Sequence, residues 1–468
     1  MRSVGCCSRR NRRKSRPEPG RPAFLLVIMS KYAPILDAKL TYLYSRTGGS
    51  AIKLGLDTIS ALLRVMKVDP LQLPCVHVAG TNGKGSVSAM IESVLREAGL
   101  HTALYTSPHL IRFNERIRIR GEMIPDDELL RLLDLVEKAD QTQAAEAEGR
   151  RLGTFFELTT AVAFAWFLAQ KVQLAVLETG MGGRLDSTNV VTPLLAVLTS
   201  VGMEHKSFLG RTLEKIAAEK AGVIKPGRPV VTGRQSPAVM RVIADRAREV
   251  GASLILAEER VSIRRTSQDL DGQMLSVETA AGGWAPFRLP LLGDFQLENC
   301  ALAIAALEWL REELHLPLPP DVIREGLAKT RWPGRCQVVS RDPVFLVDVA
   351  HNPGAAQALA NFLKSFRGDR PVALICGMLA DKDAEGFFKI LRPVVDACVL
   401  VPLDSERNMP MEKLMAAAKA AKLPAAEGLL PSAVKNAKAW AQKNNGIVVA
   451  AGSLYMASAV LYELGYQV

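Results

Sequence analysis

The chain has 468 residues, 48% hydrophobic and 23% charged, which describes an ordinary folded protein with room for two or three domains. Its formal charge of +11 invites a nucleic-acid partner, yet residues 1–28 hold eight Lys or Arg against a single acid, Glu18. That leaves 51 basic and 47 acidic residues elsewhere, so the excess belongs to the leader and the body is nearly balanced.

The leader pairs a basic cluster (9–14) with an apolar run at 23–29, short for an export signal and followed by no small-residue cleavage site. Residues 1–28 read as a disordered basic leader or a misassigned start, with Met29 the natural first residue. No run approaches the ~18 apolar residues of a membrane span. Seven cysteines are scattered without metal-ligand spacing, which points to reduced thiols in the cytoplasm.

Residues 35–67 read as two helices joined by a Gly-rich loop at 47–50. At 76–79 an apolar strand runs into Gly80-Thr81-Asn82-Gly83-Lys84-Gly85-Ser86 and then a helix through Met90, Ile91, Val94 and Leu95. Such a strand–loop–helix aims backbone N–H groups and the positive helix end into one concavity, which suits phosphate oxygens. Lys84 adds a cation for the β- and γ-phosphates and Ser86 a hydroxyl for Mg²⁺. The strict phosphate-loop spacing is absent: Gly80 lies four residues before Lys84, and Gly85 separates Lys84 from Ser86. A plain Gly-rich turn is the competing reading. Lys and Ser within the turn favour a nucleotide-phosphate site.

Further on, 102–106 is a strand leading to Ser107-Pro108-His109, 126–139 an amphipathic helix, 140–152 a polar loop and 158–168 a buried helix. Residues 174–177 form a central parallel strand ending at Glu178, and 194–198 another leading to Glu204-His205. This alternation predicts a mainly parallel sheet with right-handed crossovers. Around 253–292, Asp271-Gly272 between alternating segments predicts added antiparallel strands. Prolines at 317, 319 and 320 and the Trp332-Pro333-Gly334-Arg335 turn break the pattern. Strands at 345–349, 372–376, 398–401 and 447–451 then build a second α/β domain. The divisions are 29–330, a linker at 331–340, and a smaller domain at 341–468.

Ligands of parallel α/β sheets bind beyond the carboxyl ends of strands, where the Gly-rich loop, Ser107, Glu178 and His205 all fall. A hydroxyl, a carboxylate and an imidazole can hold Mg²⁺ or Mn²⁺ beside phosphates, waters completing the shell. Each has a plainer reading: Ser107 shaping a turn before Pro108, Glu178 paired with Arg184, His205 a hydrogen-bonded loop residue. Lys220, in the last turn of a helix stopped by Gly222, reads as a solvated cation favoured by the helix dipole. Asp348 and His351 follow a strand in the second domain, either as part of an Asn352-Pro353-Gly354 turn or for nucleotide contact and proton handling.

These motifs together resemble the folylpolyglutamate synthase/dihydrofolate synthase family of the Mur-ligase superfamily. The matching stretches are HVAGTNGKGS (77–86), YTSPH (105–109), RFNER (112–116), FFEL (155–158), LETGMGGRLDSTN (177–189), HKSFLG (205–210), EKAGVIKPG (219–227), WPGR (332–335), DVAHNP (348–353) and GSLYMA (452–457). The likeness runs from about Met29 to the end. It implies a P-loop-type central domain followed by a Rossmann-like ligase domain. The implied reaction converts a folate-type carboxylate to an acyl phosphate with ATP, then joins it to L-glutamate. Thr81, Asn82, Gly83, Lys84, Gly85 and Ser86 match the ATP loop, and Asn299, Arg335, Asp348 and His351 match further ATP contacts. Lys84, Lys220 and His351 are the implied catalytic set. Ser107, Glu178 and His205 match magnesium ligands, with Lys220 a carbamylated lysine at a second Mg²⁺. Thr154, Phe155, Phe156, Glu157, Leu185 and Asp186 match the side of the site that takes dihydropteroate or a reduced folate.

Two positions depart from the family: Glu204 replaces a more usual Asp before the metal His, and Val349 a usual Gly. The chain reads as a cytoplasmic monomer with no nucleic-acid or membrane partner. A peptidoglycan-type Mur ligase acting on a UDP-linked muropeptide is the alternative within the class. A nucleic-acid-dependent ATPase would rest on the leader's charge. A GTP switch would need an Asn-Lys-x-Asp motif that the sequence lacks.

Overall fold

Residues 75–79 form the middle strand of the largest sheet. The computed structural model describes residues 33–47, 55–146, 152–280 and 282–466; the leader 1–28 and most of the joint at 47–50 lie outside them. Two helices come first, α1 (Ala33–Tyr44) and α2 (Asp57–Val65), then β1 (Cys75–Ala79) and α3 (Lys84–Glu97). β2 (Thr102–Tyr105) carries an antiparallel extension of β3 (Ile117–Ile119) and β4 (Glu122–Met123). Helices α4 (Asp126–Ala145) and α5 (Phe155–Ala169) precede β5 (Leu174–Glu178) and β6 (Leu195–Leu198). The sheet is completed through α6 (Lys206–Leu209), α7 (Leu213–Ala221), β7 (Val230–Thr232), α8 (Pro237–Glu249) and β8 (Leu254–Leu256).

The order is β4-β3-β2-β5-β1-β6-β7-β8, and from β2 to β8 every neighbouring pair is parallel. Parallel pairing requires crossovers, and their helices cover both faces. Side-chain alternation then splits each strand between two layers. Val76, Val78, Leu174 and Val176 pack on the α3 side, whereas Cys75, Ala175 and Leu177 face α1, α2 and α5.

Helix α4 runs past the expected 126–139 into the polar stretch. Asp140 and Gln143 are buried, because the Asp140 carboxylate accepts from Gly153 N (2.7 Å) and Gln143 Nε2 (3.0 Å). Beyond β8 lie α9 (Ala257–Arg260) and the expected antiparallel strands β9 (Val261–Asp269), β10 (Gly272–Thr279), β11 (Gly282–Gly283) and β12 (Phe287–Leu289), then α10 (Phe295–Leu314) and α11 (Pro320–Ala328).

The stretch 331–340 is linker only in its first part. From Gln337 it is strand: β13 (Gln337–Arg341) pairs antiparallel with β14 (Val344–Val347). That pairing, rather than any apolar run, makes the segment extended. The remainder is α12 (Pro353–Phe366), β15 (Val372–Cys376), α13 (Ala384–Leu391), β16 (Ala397–Leu400), α14 (Met411–Ala420), β17 (Ala425–Glu427), α15 (Leu430–Asn444), β18 (Ile447–Ala451) and α16 (Leu454–Glu463). They build a six-stranded sheet, β13-β14-β18-β15-β16-β17, parallel apart from β13. The protein is therefore α/β in both parts, a large parallel-rich sheet followed by a smaller one. No described helix is long and apolar enough to cross a membrane.

Candidate active site

The strand order gathers the sequence candidates. Neighbouring strands β2, β5, β1 and β6 end at Ser107, Glu178, the Gly-rich loop and Glu204-His205 respectively. All four groups share one edge of the sheet.

Close approach demands glycine at Gly83 and Gly85, as it does at Gly80. Gly83 has φ +91°, and a Cβ there would lie 2.4 Å from Asn299 Oδ1; one on Gly85 would lie 2.6 Å from the Trp332 indole. Thr81 N donates to Ser200 O (2.8 Å) and Thr81 Oγ1 to Gly202 O (3.1 Å), tying the loop to the end of β6. Lys84 opens α3 with Nζ 3.3 Å from Thr81 O. Ser86 is buried, its hydroxyl accepting from Gln296 Nε2 (3.3 Å), while Gln296 Oε1 accepts from Asn299 Nδ2 (2.9 Å). Asn299 thus reaches the loop from α10.

Glu178 is buried and accepts from Ser107 N at 3.0 Å. Burial raises its carboxyl pKa against the opposing pull of Lys84, the Ser107 amide, Arg335 and Arg116. Arg184 does not pair with it, forming instead a 2.8 Å ion pair with Glu219. His205, in the left-handed region at φ +49°, is pushed down to about 4, chiefly by burial, and is a neutral imidazole at pH 7. Burial opposes ionisation of Glu204, but its bond to His351 and the charges of His205 and Lys84 hold it well below the usual range.

Lys220 corrects the reading as a solvated cation. It is 3% exposed, and Nζ donates to Gly80 O at 2.6 Å, beneath the loop. The end of α7 packs against the sheet edge, so the amine never reaches solvent. Burial first, and Lys84 second, bring its pKa down to about 7.

The second lobe faces this edge. The Asp348 carboxylate accepts from Cys336 N (2.8 Å) and Ala350 N (2.7 Å), holding the turn after β14. Arg335 stands where its charge acts on both Asp348 and Glu178. His351 bonds Val349 O through Nδ1 (2.9 Å) and Glu204 Oε1 through Nε2 (3.2 Å). Both partners are hydrogen-bond acceptors, so a ring N–H of His351 has an acceptor on either side. Asn352 Nδ2 approaches Asn82 Oδ1 at 3.4 Å. Between the lobes lies a cavity of about 890 Å³, lined by the loop, Ser107, Glu178, His205, Asp348 and His351 among others.

The expected pterin-side residues stand behind this cavity rather than on its lining. Thr154 and Glu157 form a capping box for α5, Thr154 N donating to Glu157 Oε2 at 2.7 Å. Phe155 stacks on Tyr44 (centroids 5.2 Å apart), and Phe156 lies against Tyr105 (6.0 Å). Asp186 caps the short turn Ser187–Val190, accepting from Met181 N (2.8 Å) and Thr188 N (3.1 Å). Leu185 beside it is half-buried. Lining that end of the cavity are Tyr44, His109 and Arg116, which sequence reasoning did not single out. At the opposite rim Lys382 and Arg407 share Asp381 (3.5 and 2.9 Å). The strand-end rule applied to β15 and β16 would have found both.

Among the described residues no three or more His, Cys, Asp or Glu side chains converge as a metal cluster. One carboxylate, a hydroxyl and a neutral imidazole beside a phosphate loop nonetheless fit Mg²⁺, which is usually held by one or two carboxylates with phosphates and waters.

Two paired lobes with this cavity between them define an ATP-dependent ligase of the Mur type. Residues 78–307 match the Mur ligase middle domain, and 334–454 match the Mur ligase glutamate ligase domain. The chain belongs to the folylpolyglutamate synthase/dihydrofolate synthase family. It is 37% identical to the folylpolyglutamate synthase of Lacticaseibacillus casei, over 83% of this chain and 89% of that one. With the dihydrofolate synthase/folylpolyglutamate synthase of Bacillus subtilis it shares 35% identity, over 88% and 95% of the two chains. Among solved structures, Escherichia coli FolC in complex with DHPP and ADP superposes with a TM-score of 0.81 at 32% identity, covering 92% of this chain and 97% of that one. Mycobacterium tuberculosis folylpolyglutamate synthase complexed with ADP gives 0.85 at 30% identity, covering 92% and 98%. These likenesses do not favour the muropeptide alternative.

Proposed function

We propose that this protein is an ATP-dependent ligase that adds L-glutamate to dihydropteroate, to reduced folates, or to both. The observation that carries this is the cavity joining a phosphate loop and buried strand-end groups on one lobe to Asp348 and His351 on the other. An oxygen of the acid's carboxylate attacks the γ-phosphorus of ATP, ADP leaves, and an acyl phosphate forms. The glutamate amine then attacks the acyl carbon, and the tetrahedral intermediate collapses with loss of phosphate.

Residues 81–86 cradle the phosphates through their amides, and Lys84 offsets charge between the β- and γ-phosphates. Asn299, Arg335 and Asp348 contact the rest of the nucleotide, and His351 faces the phosphates from the second lobe. Ser107, Glu178 and His205 would hold Mg²⁺, which supplies charge neutralisation for phosphoryl transfer when bound. Thr154, Phe155, Phe156, Glu157, Leu185 and Asp186 back the folate-side wall from behind its lining.

Lys220 carries a carbamate in this reading. Only a free-base amine captures CO₂, and a pKa near 7 supplies one at neutral pH. A carbamate nitrogen keeps an N–H for Gly80 O, while its oxygens help hold a second Mg²⁺. The site is completed within one chain, which supports a monomer. The five described cysteines are free and buried, in keeping with a reducing cytoplasm.

The test is phosphate release with ATP, Mg²⁺ and glutamate, comparing dihydropteroate, tetrahydrofolate and no pterin. Release that depends on a folate acid is expected. Equal release in all three would overturn the proposal.

A further inference from the structure

The cavity's aromatic end contains a buried cation with no carboxylate of its own. Arg116 closes the short turn Phe113–Arg116, and its carbonyl accepts from Thr106 N (3.0 Å) just beyond β2. The side chain is 6% exposed, and its guanidinium lies over the rings of Phe155 (5.1 Å) and Phe113 (5.7 Å). Nε donates to His109 Nδ1 at 2.8 Å. Since Arg cannot accept, Nδ1 is unprotonated, and neutral His109 turns Nε2–H toward Tyr44 Oη (3.3 Å). This chain of contacts fixes the direction of the guanidinium.

The two Nη groups make no hydrogen bond or ion pair with any described residue, and Arg116 lines the cavity. Nearby carboxylates are committed elsewhere. Glu115 accepts from the amides of Leu110 (2.8 Å), Ile111 (2.7 Å) and Arg112 (2.5 Å), and Glu178 from Ser107 N (3.0 Å). A buried Arg is ordinarily paired, because an isolated buried charge is costly. Here the guanidinium's outer edge is left for something that enters the cavity.

We propose that the Nη edge of Arg116 binds the carboxylate of the acid substrate, an arylcarboxylate whose ring lies beside Tyr44 and His109. This rests on the ligase reading above and deepens it. The planar fork matches a carboxylate bidentately, which a Lys ammonium does not. Arg116 and the phosphate loop line the same cavity, so the anchored carboxylate shares that space with the nucleotide phosphates. Arg116 thereby orients the attacking oxygen and offsets the cost of burying its charge.

The experiment compares binding of dihydropteroate and its primary carboxamide, in the presence of ADP, to wild type, Arg116→Met and Arg116→Lys. Wild type is expected to favour the carboxylate by roughly 10- to 100-fold, the worth of a charged hydrogen-bonded contact. Arg116→Met should bind the two ligands about equally, Arg116→Lys should fall between, and ADP affinity should hold in both. A preference that survives in Arg116→Met, with both ligands weakened alike, would assign Arg116 a structural role and overturn the proposal. Should that variant not fold, a crystal structure of wild type with dihydropteroate decides. A carboxylate oxygen within ~3 Å of Nη upholds the anchor and one held elsewhere removes it. Wild type that binds neither ligand and releases no phosphate with any folate acid would instead overturn the ligase reading itself.

Discussion

Lys84 and Lys220 crowd one end of β1, and the charge of Lys84 disfavours that of Lys220. Lys84 keeps its place at the start of α3, where charge builds during phosphoryl transfer. Its replacement in Lys84→Ala should lower kcat by roughly 10²- to 10³-fold with an unchanged thermal melt. Near-normal turnover would remove the loop from the mechanism. Lys220 answers with a proton. Its pKa of about 7 in the fold lies below the unfolded value of 10.5, so between these pH values the unfolded chain binds more protons. Stability therefore rises with pH through that window, and the cost of the buried ammonium is felt in full below pH 7. The same titration governs carbamate formation. A ¹³C-bicarbonate NMR carbamate signal should grow from pH 6 to pH 8 and vanish in Lys220→Ala, whose activity a small carboxylate partly restores. A bare ammonium in an active, ATP-bound enzyme would refute it.

At the scale of elements, the site depends on a loop with almost no regular structure. Residues 107–112 carry Ser107, Pro108 and His109, and their second half is held by one carboxylate, Glu115, which accepts three consecutive amides. In Glu115→Ala those donors lose their acceptor in a buried setting, at ~1–3 kcal/mol for each left unsatisfied. Denaturant titration should register a loss of at least ~2 kcal/mol. Turnover should fall as Ser107 drifts from Glu178. A loss under ~0.5 kcal/mol would show that the loop is held by other means.

Across the whole molecule, Glu204–His351 and Asn82–Asn352 bridge the lobes over the cavity, while Leu110 packs with Phe345, Val347 and Val349 of the second lobe and Arg341 pairs with Asp271. The two bridges over the cavity are polar, the kind that forms and breaks as lobes swing about a short connection such as 331–336. Nucleotide bridging the loop and Asp348 should favour the closed arrangement. Small-angle scattering should give a smaller radius of gyration with ATP, Mg²⁺ and pterin than without, and identical dimensions would contradict closure.

What the sequence by itself determined is what nearby residues decide among themselves. The glycines around Lys84, the strand ends at Glu178 and Asp348, the stop at Gly222 and the segregated basic leader are short-range facts, and a motif set carried the family. Only the tertiary structure decided strand order. That β5 lies between β2 and β1 brings Ser107, Glu178 and Lys84 together across chain separations no local pattern encodes. It also decided charge. Lys220 reads as solvated from its helix position, but its partner, Gly80 O, lies 140 residues away, and burial sets its protonation. Likewise Arg184 found Glu219 rather than Glu178, Asp140 continued a helix, and Gln337–Arg341 became strand through pairing with β14. A side chain's partner, exposure and protonation depend on what the fold lays over it, and that is settled only when distant segments pack.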